Sequence, residues 1–112
     1  MFKIDLSPTI RWPVAVILAG ATGEEKAEFV AVFARRGQSY IRDLMQRISA
    51  GEAVADADLV RAELVGWDGI TYEGNPVEYS AEALEKVLDI PGAALAIARA
   101  ALRCMSEAAS KN

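Results

Sequence analysis

The sequence predicts an α+β fold, an N-terminal β-hairpin followed by a bundle of about four α-helices, and three observations carry that expectation. Apolar residues alternate with period two up to about residue 34. They recur with helical spacing from about residue 38, and glycine, proline and asparagine punctuate the changes between elements. Strands first and helices after is the order of an α+β chain. A length of 112 residues is enough for one core and too short for two, so a single domain 1–112 is expected, with the hairpin over 10–35 and the helical part over 37–109.

Along residues 10–18, Trp12, Val14, Val16 and Leu18 share one face of an extended segment, and Pro13, Ala15, Ile17 and Ala19 share the other. Both faces are apolar, so both are expected to be covered. Pro13 has no amide to donate, which argues for an unpaired edge on at least one side there. Gly20-Ala21-Thr22-Gly23 reads as a turn, after which Ala27, Phe29, Ala31 and Phe33 alternate with Lys26, Glu28, Val30 and Val32. Two strands alone are marginal in water, so the hairpin must pack on helices or gain strands from another copy.

From Gln38 the period changes. Tyr40, Ile41, Leu44, Met45 and Ile48 mark one helical face, Arg42, Asp43, Gln46 and Arg47 the other, and Gly51 is placed to end the helix. A second helix starts with Asp56 as its cap and Asp58 near its positive end, presents Leu59, Val60 and Leu64, and stops at Gly66. Glycine at 69 and 74, Asn75 and Pro76 then break regular structure, with a short extended pair of Tyr72 against Val77 and Tyr79 around Gly74-Asn75. Ser80 caps a third helix, with Tyr79 and Leu84 at the two positions of a hydrophobic staple. Pro91 forces Ile90 out of helix and suits the first turn of the fourth. That last helix, rich in alanine, carries two neighbouring apolar stripes, Leu95, Ala98, Leu102, Met105 and Ala94, Ile97, Ala101, Cys104. So broad an arc suits a helix held on two sides, either centrally within the chain or between the core and a second subunit. Ser110, Lys111 and Asn112 are expected to fray.

Composition excludes several function classes. A net charge of −4 with scattered basic residues leaves no cationic stripe for nucleic acid. There is no histidine and only Cys104, so no intrachain disulfide and no Cys/His metal site can form. Arg11 followed by an apolar run imitates a signal peptide, but the run is six residues long, Asp5 stands in the basic region and Pro13 opens the run; a β-strand explains the same letters. No stretch of 18 apolar residues exists for a membrane span, and a soluble, cytoplasmic protein is expected.

Catalysis finds no support either. The close acidic pairs, Glu24-Glu25 and Asp56 with Asp58, stand where acids solvate a turn or favour a helix start. The glycines at 66, 69 and 74 make neither a dinucleotide loop nor a Walker pattern. No catalytic, cofactor-binding or metal-binding residue is expected. The aromatic residues are the better candidates, because tryptophan is enriched at binding hot spots and loops carry function. Candidate partner contacts are Trp12, Phe29, Phe33, Trp67, Glu73, Asn75 and Pro76. Candidate self-association residues are Val14 and Val16 on the hairpin and Ile97 and Ala101 on the alanine-rich helix.

The ordered set Trp12-Pro13-Val14, Phe29 and Phe33, Trp67-Asp68-Gly69-Ile70, Glu73-Gly74-Asn75-Pro76-Val77 and Tyr79-Ser80, spanning about residues 8–100, resembles the tail assembly chaperones of long-tailed bacteriophages and prophages. The sequence departs from that pattern at Ile-Leu-Ala-Gly-Ala, where a charged strand end with a proline is expected. The resemblance implies a non-catalytic, cofactor-free protein of the host cytoplasm, absent from the finished virion. Such a protein is homo-oligomeric and binds the tape measure protein, with the tail tube protein as a further partner, and keeps the former soluble during tail assembly. Another kind of bacterial protein-binding adaptor, or an immunity or regulatory module, is the alternative reading of the same elements.

Overall fold

The computed structural model describes residues 7–20 and 23–110. Two twelve-residue strands, β1 (Thr9–Gly20) and β2 (Gly23–Ala34), pair antiparallel with Trp12 opposite Ala31, Val14 opposite Phe29 and Gly20 opposite Gly23. Ala21 and Thr22 of the expected turn lie outside the described residues. Helices α1 (Gln38–Ser49) and α2 (Asp56–Glu63) follow, then strands β3 (Leu64–Asp68), β4 (Thr71–Tyr72) and β5 (Asn75–Pro76), and finally α3 (Ala81–Leu88) and α4 (Ala93–Ser110).

The α+β class holds, but the hairpin does not stand alone. β3 adds to β2 and makes a three-stranded sheet in the order β1-β2-β3, while β4 and β5 form a separate two-stranded one. The expected second helix therefore ends earlier than Gly66. Leu64 already has extended backbone (φ −82°, ψ 121°) because it pairs with Phe33 across the sheet, and Gly66 lies opposite Val32 rather than at a helix stop. Cross-strand pairing between buried side chains overrides local helix preference there.

Smaller corrections concern caps and turns. Ala55, not Asp56, occupies the cap of α2, so Asp56 and Asp58 act on the positive end of the helix as charges without a capping hydrogen bond. Pro91 lies in the turn before α4 rather than inside it, and Gly92, with φ 86°, makes the reversal that a side chain would resist. Gly51 (φ 84°) ends α1 as expected, with its amide on the Ile48 carbonyl. Ser80 caps α3, its Oγ accepting from the Ala83 amide at 3.0 Å. Lys111 and Asn112 of the expected frayed end lie outside the described residues.

One face of the sheet is the core. Val14, Val16, Ala31 and Phe33 are buried, with Ile10, Trp12, Leu18 and Phe29 packed against them. The opposite face, Arg11, Pro13, Ala15 and Ile17, stays exposed, against the expectation that both would be covered. α4 lies centrally on the core face, contacting β1 and the other three helices, and inserts Ile97, Ala98, Ala101, Cys104 and Met105. Most of its broad apolar arc is thus covered within one chain, while Leu95 stays exposed. Val14, Val16, Ile97 and Ala101 are all at most 5% exposed, which removes them as self-association contacts: a neighbouring subunit cannot reach side chains that the chain's own core encloses. Among the described residues no helix is long and apolar enough to cross a membrane.

Candidate partner-binding groove

The segment between β3 and α3 builds an apolar groove. Trp67 is half-buried; its Nε1 donates to the Val77 carbonyl at 2.8 Å, and its ring meets Tyr79 edge-on with centroids 5.0 Å apart. The Tyr79 hydroxyl donates in turn to the Leu64 carbonyl at 3.0 Å. These bonds clamp β3 against residues 77–79, so Trp67 is a structural tie rather than an open contact. Gly69, with φ 95°, turns the chain beside Phe29 and leads into β4.

β4 and β5 pair as Thr71–Pro76 and Tyr72–Asn75, and the Ile70 carbonyl accepts from the Val77 amide at 2.9 Å. The turn between them is therefore Glu73-Gly74, not Gly74-Asn75. Both turn residues have positive φ, 51° and 80°, the geometry of the hairpin turn whose twist matches paired strands. Gly74 adopts it freely, whereas Glu73 is a residue that rarely does. The turn presents Tyr72, 71% exposed, together with Glu73, Asn75 and Pro76.

Beneath this hairpin, Ile70, Tyr72, Val77, Val87 and Ile90 line a groove of about 770 Å³ against α3. A second depression shares Ile70, Thr71, Val87 and Ile90 with it and extends to Val16, Leu18 and Phe29 on the sheet. Both floors are mainly apolar. Glu28, Glu78 and Glu82 stand on their walls, with Lys86 the one cation lining either part. Of the candidate contacts, Phe29 lies in the second depression and Glu73, Asn75 and Pro76 belong to the hairpin that walls the first. Trp12 lines a different groove, between β1 and α4. Phe33 is 2% exposed and is withdrawn as a contact.

One arrangement had no sequence signal. Glu63, the last residue of α2, is 1% exposed and accepts from Arg36 Nε at 2.8 Å and from the Tyr40 hydroxyl at 2.5 Å; the Arg36 guanidinium also stacks 4.3 Å above the Tyr40 ring. The hydrogen bond to Glu63, ahead of burial, holds the Tyr40 phenol above its ordinary value. A buried carboxylate with a cation and a hydroxyl on its two oxygens is satisfied rather than poised for chemistry. Cys104 lines the same depression as Glu63, and burial pushes its thiol up, away from the thiolate a nucleophile needs. Among the described residues no cluster of side chains suited to a metal ion is present.

No family model, curated protein or solved structure matches the chain.

Proposed function

We propose that this protein is a phage or prophage tail assembly chaperone, which binds an apolar helical segment of the tape measure protein without catalysis and keeps it soluble until the tail tube encloses it. It acts in the host cytoplasm and is absent from the finished virion. The observation that supports the reading is the pair of neighbouring apolar depressions that share Ile70, Val87 and Ile90, one reaching Val77 with Glu78 and Glu82 on its walls, the other Phe29 with Glu28. An amphipathic helix lays its apolar face into such a groove, and glutamates around it favour a segment with lysine or arginine at its borders.

Copurification with fragments of a tape measure protein tests the reading. A complex at micromolar concentration that Val87→Glu weakens at least tenfold is the expected result, since a charge on the groove floor opposes burial of an apolar face. Absence of any complex at that concentration removes the chaperone reading. A complex indifferent to Val87→Glu moves the contact away from this groove.

A further inference from the structure

β1 is an outer strand, and among the described residues none pairs with its second edge. That strand is twelve residues long, alternate residues turn their amides and carbonyls to the open side, and Pro13 is the one residue in it without an amide to donate. A groove runs beside it, formed by Trp12, Pro13, Ala15 and Ile17 of β1 and by Leu95, Arg99 and Arg103 of α4. Ile17 is 54% and Leu95 41% exposed, so apolar surface and open backbone coincide.

Charge selects the occupant. Arg11, Arg36, Arg47 and Arg61 each have a carboxylate partner. Arg99 and Arg103 are exposed and form no ion pair among the described residues, although the chain carries an excess of acids. They lie one turn apart on the side of α4 that borders the groove, separated by about 6 Å along the helix. Side chains two residues apart on a strand repeat at about 6.8 Å, close to the same spacing. The backbone around Gly92 approaches the Ile17 carbonyl while Trp12 and Arg103 both line the groove, so α4 and β1 run alongside each other in opposite directions.

We infer that the free edge of β1 takes an extended acidic segment of a partner protein, which adds a fourth strand and places carboxylates at alternate positions on Arg99 and Arg103. Main-chain hydrogen bonds supply affinity in this mode, and the arginines supply direction and charge selectivity. A second copy of the chain is the poorer occupant, because pairing β1 with β1 about a two-fold axis sets the arginines of both copies against one another.

The test uses the full chain with a ten-residue peptide in which glutamate alternates with valine and threonine, and a counterpart with lysine in place of glutamate. Amide hydrogen exchange and chemical-shift mapping should show protection along β1 with the glutamate peptide alone. The double variant Arg99→Glu/Arg103→Glu should weaken binding roughly tenfold or more and admit the lysine peptide. Ile17→Glu, at an exposed position, should weaken the glutamate peptide as well. Val87→Glu, in the other groove, should leave the peptide's affinity unchanged whether or not the chaperone reading survives. The proposal is overturned by no binding at millimolar peptide, by equal binding of the lysine counterpart, or by charge reversal without effect. It is also overturned by sedimentation showing a dimer in which the β1 amides are already protected without peptide.

Discussion

Glu63 shows how one side chain can organise its surroundings. Its carboxylate closes the junction of α1, α2 and the strand end at Arg36, and each neighbour depends on it. Glu63→Gln keeps the shape but weakens the bond to Arg36, and should cost about 1–3 kcal/mol in denaturant unfolding. Glu63→Ala leaves Arg36 and Tyr40 without their acceptor and opens a void, and should cost about 3–5 kcal/mol. Tyr40 adds a pH dependence whose sign follows from its raised phenol value. The neutral phenol is favoured in the folded state, so its contribution is complete below the ordinary tyrosine value near 10 and fades as pH climbs through the higher folded value. Chemical unfolding between about pH 9 and 12 should show that alkaline loss in the native chain, and Tyr40→Phe should flatten it. Glutamate at position 63 was illegible beforehand. It ends a helix next to alanine, like a surface residue, and only the packing of Arg36 and Tyr40 from elsewhere in the chain makes it internal.

At the scale of elements, period-two and helical patterns located β1, β2, α1, α3 and α4 because each buries a continuous apolar face, which writes itself into the letters. β3 was missed for a physical reason. Residues 64–68 bury only Leu64 fully, and their extended form depends on β2, whose paired residues stand more than thirty positions earlier in the sequence. The tie between β3 and the segment before α3 is accordingly the one to probe. Trp67→Ala removes both the ring contact with Tyr79 and the bond to Val77, and should destabilise the chain by about 3–5 kcal/mol. Trp67→Phe retains a ring and should lose about 1 kcal/mol, the worth of the single hydrogen bond. Equal stability of the native chain and Trp67→Ala would return this residue to the surface. The same comparison explains the candidate site. Phe29 and the hairpin at Glu73 were legible from type and loop context, whereas the partnership of Ile70, Val87 and Ile90 required the fold that brings them together.

For the molecule as a whole, the two grooves differ in charge: glutamates flank the one at α3, and arginines without an ion pair among the described residues flank the free edge at β1. α4 joins the two regions, since it packs on β1, α1, α2 and α3 alike. A chain ending at Gly92 lacks Ile97, Ala98, Ala101, Cys104 and Met105, and should show no cooperative transition in urea by circular dichroism. A sharp transition in that fragment would mean that the sheet and first three helices form a core by themselves. The central position of α4 also sets an order in time. It follows every element it covers, so on the ribosome the apolar face of the hairpin waits for a helix not yet made. At about 5–20 residues per second, the 18 residues of α4 take roughly 1–4 s to synthesise. During that interval the nascent chain carries two long strands whose apolar face its own last helix has not yet covered.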